Sequence, residues 1–220
     1  MVDSNQISVI IPVLKEPNLP NLVADLEKIL ADYNYEIIIV TSDKNRGATM
    51  PYAPLSPGIK YFKSYGDSLE RAILLGFSVA QGSKIIVMDA DGSHPVDLLP
   101  AMISSLDSHE MVVASRFVSG GKYYTVSSRY LTSYLFTKYA QLFGSTLSDP
   151  MSGYFGIQAA LLNRIHFKPY KWKTALEISN KLRPDTVELP FVFENRKAGK
   201  SKSSWKIGLH LIWDITEAML

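Results

Sequence analysis

Ile85-Ile86-Val87-Met88 runs straight into Asp89-Ala90-Asp91, with His94-Pro95 just beyond, and this stretch decides the architecture. An unbroken apolar run, bounded by Gly82-Ser83 before it and Gly92-Ser93 after it, is the pattern of a strand buried on both faces. Two carboxylates follow where that strand would surface. They repel each other unless a cation lies between them. Mg²⁺ or Mn²⁺ suits that place, because hard divalent ions take carboxylate oxygens and hold diphosphates as well. Asp is also favoured at helix N-caps and in solvated turns. The motif alone leaves both readings open.

The segments on either side repeat the strand-then-polar pattern. Ile7–Pro12 is a short β-branched run, and Glu36–Val40 is a second one that ends in Thr41-Ser42-Asp43. Between them, Leu19, Leu22, Val23, Leu26, Ile29 and Leu30 fall at helical spacing. Residues 49–58 are dense in proline and read as a loop. Ile59–Phe62 predicts a short strand and Ser68–Ala80 a helix. Alternating strands and helices with continuous apolar strands imply an α/β fold, a mainly parallel sheet flanked by helices. Ligands of such sheets bind beyond the carboxyl ends of the strands. Lys15-Glu16, Thr41-Ser42-Asp43 and Asp89-Ala90-Asp91 all fall at those ends.

Further along, Met111–Ala114 predicts a strand ending in Ser115-Arg116, and Val126–Phe143 a helix rich in Tyr and Leu. Val187–Phe193 predicts a strand whose Pro190 places it at an edge. Lys206–Leu220 has Ile207, Leu211, Ile212, Ile215 and Met219 on one helical side. With Trp205, Trp213 and Lys206 it fits either a membrane interface or a packed core. No linker divides the 220 residues, so 1–220 is expected to be one domain.

The net charge of +2 conceals a division. Residues 1–114 carry 8 Lys and Arg against 14 Asp and Glu, whereas residues 115–220 carry 15 against 7. An acidic half with the Asp pair beside a basic half suggests a metal side and a phosphate or membrane side. The chain has no cysteine, which excludes disulfides and thiolate metal sites. Its first residues lack the form of a signal peptide, and no apolar run approaches the ~20 residues of a spanning helix. A soluble or peripheral protein is expected, with no nucleic-acid partner.

The motifs now carry a resemblance. Asp89-Ala90-Asp91 with His94-Pro95, Ser115-Arg116 to Gly120-Gly121, Asp149-Pro150-Met151-Ser152-Gly153-Tyr154-Phe155, and Glu188-Leu189-Pro190 followed by Arg196-Lys197-Ala198-Gly199-Lys200-Ser201-Lys202 stand in the order seen in family-2 glycosyltransferases. Among these the chain most resembles the dolichol-phosphate mannose synthases and related polyprenyl-phosphate glycosyltransferases. The likeness extends from Ile7 to about Lys206. It implies a GT-A fold, a Mg²⁺ or Mn²⁺ ion at Asp89 and Asp91, and inverting transfer of a hexose, mannose or glucose. The donor would be a GDP- or UDP-sugar and the acceptor a polyprenyl (dolichyl-type) phosphate. Residues 1–114 would form the nucleotide-sugar and metal half, and 115–220 the acceptor half with its amphipathic end. The place implied is a membrane's cytoplasmic face.

By the same resemblance Pro12, Glu16, Asp43 and Asp89 match donor-binding positions. Arg129 and Ser133, which would share a helix face, match positions that bind the lipid phosphate. Arg116, Arg196 and Lys202 are further phosphate-binding candidates, since Arg offers bidentate contact and Lys a compact charge. Asp91, Arg116 and Asp149 are the catalytic candidates. Asp149 would be a base if the acceptor were a hydroxyl, and otherwise a turn-forming Asp-Pro. His94 is expected to shape its turn rather than bind. Tyr123, Tyr124, Tyr130 and Tyr134 either border an acceptor groove or pack in a core.

Three places depart from the family pattern: Thr41 and Ser42 stand where acidic residues are usual, Ser93 where Gln is common and, a minor change, Val96 where a second Pro is usual. Ser93 is therefore expected to leave the ion with less protein help. Transfer to a glycan hydroxyl, or a non-catalytic subunit binding nucleotide sugar or lipid phosphate, are the alternatives that these residues also permit.

Overall fold

The structure, a computed structural model, describes residues 3–13, 16–42, 57–66, 68–123, 128–167 and 173–193. Its centre is a seven-stranded sheet built from β1 (Asp3–Val13), β2 (Tyr35–Ser42), β3 (Ile59–Ser64), β4 (Gly82–Val87), β5 (Met111–Ser115), β7 (Phe155–Gln158) and β8 (Thr186–Pro190). The strand order is β3-β2-β1-β4-β7-β5-β8. Every pairing is parallel except those of β7, which runs antiparallel to both β4 and β5.

Successive side chains of a strand point to opposite faces, and here both faces are covered. Val9, Ile11, Ile37, Ile39, Ile86 and Met88 pack against α1 (Leu19–Ile29) and α3 (Leu99–Ser105). Ile10, Ile38, Val40, Ile85 and Val87 pack on the other side against α2 (Leu69–Val79) and α5 (Thr174–Leu182). This explains why the strands read as continuous apolar runs rather than alternating ones. The contact with α2 is close: a Cβ on Gly76 would lie 2.5 Å from Ile10 Cγ2, so only glycine lets the helix approach this far.

β7 was not foreseen. Phe155–Gln158 is four residues long and follows a turn, too short for periodicity to distinguish it from a loop. It fits because Gly156 leaves room between Ile86, Leu106 and Val112, where a Cβ would come within 2.9 Å of Val112. The expected strand Val187–Phe193 is divided. β8 forms the sheet edge that Pro190 implied, whereas β9 (Val192–Phe193) leaves to pair with β6 (Lys122–Tyr123) in a separate two-stranded sheet. The remaining helix, α4 (Ser128–Leu142), follows β6 and falls within the predicted 126–143. Pro12 is buried in β1, beyond the last β4 pairing at Ile10–Val87, so its missing N–H interrupts nothing on that side.

Candidate active site

The parallel strands β1, β2 and β4 direct their carboxyl ends to one rim, where Glu16, Thr41 and the Asp89–Asp91 turn are found. The turn is held by its own polar groups. The Asp89 N–H donates to His94 Nδ1 at 2.9 Å, and Asp91 Oδ1 accepts from the Ser93 N–H at 3.0 Å and the Ser93 hydroxyl at 2.5 Å. Gly92 makes the turn possible by adopting φ +78°. Ser93 therefore orients Asp91, a use that the comparison with Gln did not suggest. His94 is buried, stacked on Tyr154 with ring centroids 4.9 Å apart. Burial is the largest influence on it and holds its pKa below the ordinary value, against the attraction of Asp89 and Asp91. With Nδ1 accepting, the ring is neutral and its proton sits on Nε2, which lies 3.9 Å from Asp89 Oδ2.

The side chain of Asp89 is 36% exposed and faces a cavity of about 260 Å³. Gly153 lies opposite. A Cβ there would stand 3.6 Å from Asp89 Oδ2, so the glycine keeps the space before the carboxylate open. Among the described residues no group of three or more His, Cys, Asp or Glu gathers as a metal cage. Asp89 thus offers hard carboxylate oxygens to the cavity, whereas Asp91, 4% exposed and held by Ser93 through Oδ1, follows it in the turn and does not line the cavity. So few protein donors suit Mg²⁺ or Mn²⁺, which commonly retain waters and take phosphate oxygens rather than filling an all-protein shell.

Across the cavity stands Arg116, directly after β5 and 8% exposed. Its Nε donates to Asp149 Oδ2 and its Nη2 to Asp149 Oδ1, both at 2.6 Å, and its backbone N–H donates to Oδ2 at 3.0 Å. Nη1 donates to the Tyr123 hydroxyl. Burial alone would lower the Arg116 pKa, but the hydrogen bonds and charge of Asp149 outweigh it and hold the value above the ordinary one. Asp149 is itself anchored: Glu188 of β8 accepts from the Ser148 N–H at 2.6 Å and the Asp149 N–H at 3.2 Å. The glycines of the Ser115–Gly121 motif are steric necessities here. Gly120 has φ +91°, and a Cβ on Gly121 would come within 2.6 Å of the Ser115 carbonyl oxygen.

Asp149 was expected as a possible base for a hydroxyl acceptor, and this geometry does not fit that role. Its carboxylate is fully buried and both oxygens are engaged by Arg116, whereas a base has to reach the proton it removes. The alternative of a simple turn-forming Asp-Pro also understates it.

The cavity brings together Asp89, Arg116 and Ser133 of the anticipated residues, and adds His94, Ser152 and Lys173. Lys173 had no motif to reveal it among 23 Lys and Arg. Its Nζ donates to the Met151 carbonyl at 2.7 Å. Burial, and secondly the charge of Arg116, push its pKa down to about 8, with Asp149 and Asp89 opposing. Glu188 stands in the Glu188-Leu189-Pro190 motif but was given no role there, because that role depends on a loop about 40 residues away. Tyr123, Tyr130 and Tyr134 form one aromatic group with Phe117 beside Arg116. Lys15, Asp43, Tyr124, Arg196, Lys202, the side chain of Arg129 and the expected helix 206–220 lie outside the described residues. A larger hollow of about 890 Å³, lined by Phe77, Ile85, Leu162 and Phe167, lies at the opposite end of the strands, away from these groups.

A profile of the family described as Glycosyl transferase family 2 matches residues 8–165. The chain therefore belongs to glycosyl transferase family 2. It is 31% identical over 214 residues to a dolichol-phosphate mannosyltransferase of Pyrococcus furiosus, covering 91% of this chain and 60% of that protein. A second dolichol-phosphate mannosyltransferase, from Mycosarcoma maydis, is 30% identical over 96% of this chain and 78% of its own length. The chain thus spans somewhat over half of the first relative and about three quarters of the second. The fold matches glucosyl-3-phosphoglycerate synthase from Mycobacterium tuberculosis, solved with Mn²⁺, UDP-glucose and phosphoglyceric acid, with a TM-score of 0.74. That likeness covers 98% of this chain and 80% of the other at 14% identity. It establishes the GT-A architecture.

Two outcomes follow for the buried charges. Asp149→Asn leaves the Arg116 charge without its counter-ion and should destabilise the fold by about 3 kcal/mol or more in urea unfolding. For Lys173 the folded pKa of about 8 lies below the ordinary 10.5, so between those values the unfolded chain holds the extra proton. Stability contributed by Lys173 therefore rises with pH across that window. Unfolding free energies of the parent and Lys173→Met, compared at pH 7.5 and pH 10, should shift in favour of the parent at the higher pH.

Proposed function

We propose that this chain transfers a hexose, with inversion, from a nucleotide diphosphate sugar to a polyprenyl phosphate, dependent on Mg²⁺ or Mn²⁺. The observation that carries this reading is one cavity in which Asp89 faces Arg116, Lys173 and Ser133 across the carboxyl ends of the strands. Mannose is favoured as the hexose by the names of the relatives, and GDP or UDP remains the nucleotide to be tested.

Asp89 and Asp91 would hold the divalent ion, which supplies Lewis-acid neutralisation of the leaving diphosphate. Arg116 keeps two N–H groups beyond those directed at Asp149 and Tyr123, and Lys173 adds a second positive charge to the same wall. Together they bind and orient the anionic substrates. An acceptor phosphate oxygen forms the new bond to the anomeric carbon on the face opposite the diphosphate. The bond to the diphosphate oxygen breaks with its electron pair, and the nucleoside diphosphate departs.

A phosphate monoester is already largely anionic at neutral pH and requires no base. Of the groups that could have served a hydroxyl acceptor as base, Asp149 is locked on Arg116 and His94 is buried and neutral.

A lipid acceptor also requires access to a bilayer. The inner side of α4 lines the cavity through Thr132, Ser133 and Phe136, while Leu131, Leu135 and Leu142 stand 56%, 58% and 81% exposed. Lys138 falls at helical spacing with these leucines, and residues 122–143 contain no Asp or Glu, so this face complements an anionic surface. Among the described residues no helix is long and apolar enough to cross a membrane. This supports peripheral contact through α4.

Labelled GDP- and UDP-hexoses incubated with polyprenyl phosphate and Mn²⁺ test the reaction. Transfer should be seen with one donor and should fall about 100-fold or more in Asp91→Ala, together with loss of Mn²⁺ binding by electron paramagnetic resonance in the presence of nucleoside diphosphate. Donor binding without any transfer would leave a binding subunit instead. Leu135→Glu should weaken sedimentation with anionic vesicles by about tenfold, since burying a leucine contributes about 1.5–3 kcal/mol, with donor affinity retained.

A further inference from the structure

The geometry points to Tyr123 as a positioning residue that commits the Ser133 hydroxyl to donating its proton to the acceptor phosphate and ties that hydroxyl to Arg116. The inference rests on the proposed function together with the family resemblance, by which Ser133 matches a position that binds the lipid phosphate.

Three polar groups stand in a line. Arg116 Nη1 contacts the Tyr123 hydroxyl, and the Tyr123 hydroxyl is 3.0 Å from Ser133 Oγ. Direction along the line follows from chemistry. A guanidinium has donors and no acceptor, so the phenol oxygen accepts from Arg116. The phenol proton is then directed to Ser133, whose oxygen accepts it. Ser133 retains its own proton, and its side chain lines the cavity, so that proton is available to an anion bound there. A cation at the head of such a chain polarises each successive hydroxyl, which makes the last one a better donor than an isolated serine. Without the phenol, Ser133 is free to rotate and accept as readily as donate.

The Tyr123 ring is held by other means. Its backbone pairs with Phe193 across β6 and β9, and its ring centroid lies 5.2 Å from those of Phe193 and Tyr130 and 6.2 Å from that of Phe117. The Arg116 guanidinium carbon sits 4.9 Å from the same centroid. Tyr123→Phe therefore preserves the packing and removes the oxygen alone. The line also crosses the site: Arg116 belongs to the pair anchored on Asp149, and Ser133 to α4. Tyr123 is the bridge between them.

The test uses the full chain, with a short-chain polyprenyl phosphate in detergent micelles and calorimetry for the nucleotide sugar. Tyr123→Phe should raise the KM for polyprenyl phosphate about tenfold, equivalent to about 1.4 kcal/mol, with kcat within about threefold and donor affinity unchanged. Ser133→Ala should do the same, Ser133→Thr should preserve the KM, and the double variant should be no worse than Ser133→Ala, because the two groups act through one hydroxyl.

A normal KM in Tyr123→Phe beside a raised KM in Ser133→Ala overturns the bridge and leaves the acceptor site standing. A normal KM in Ser133→Ala overturns both. Additive losses in the double variant, or a Tyr123→Phe protein that loses donor affinity and thermal stability along with its KM, also overturn the bridge. Should Tyr123→Phe fail to fold, equal KM increases in Ser133→Ala and Ser133→Thr would overturn it too, since a hydroxyl at 133 would then be irrelevant.

Discussion

A guanidinium removed from water has to be matched by acceptors and counter-charge, and Asp149 does this for Arg116 through both carboxylate oxygens at 2.6 Å. Several features of the fold depend on that requirement. Glu188 holds the loop that carries Asp149, and glycines at 120 and 121 let the chain fold tightly against Ser115. Phe117, Tyr123 and Phe193 surround the planar cation. The result is a charge that is fixed in place before any substrate arrives. Preorganised charge of this kind stabilises a developing negative charge without reorganisation at the moment of reaction.

Opposite this cationic wall, the Asp89–Asp91 turn is held differently. Asp91 is clasped by Ser93, while Asp89 faces open space that Gly153 preserves. One carboxylate is thus rigid and the other accessible. His94 contributes to the shape of the turn while remaining neutral, so it does not neutralise the acidic pair. Asp89 from the acidic half of the sequence and Arg116 and Lys173 from the basic half line the same cavity.

Much of the fold was legible because it follows from local rules. Continuous apolar runs identified β1, β2, β4 and β5, and helical spacing located α1, α2 and α4 to within two residues of their observed ends. Motif order singled out the Asp pair, Arg116, Asp149 and Ser133. Other features left no local trace. β7 is a short strand whose place is defined by its neighbours, and Val187–Phe193 divides only because two different sheets claim its ends. Lys173 looks like any other charged residue until the chain makes it part of a cavity wall, and Glu188, though in a motif, shows no role until a distant loop is brought against it.

By itself the sequence determined the class of fold, the rim that carries the candidate site, and the residue types available there. These depend on the spacing of apolar and polar groups along the chain, which is a one-dimensional property. Tertiary structure alone decided what each charged group does. Asp149 became the anchor of Arg116 instead of a base, Ser93 a clasp for Asp91, and Tyr123 a link between two sides of the cavity. The physical reason is that a carboxylate or hydroxyl acquires its role from burial and from the partner facing it, and both are set by residues distant in sequence.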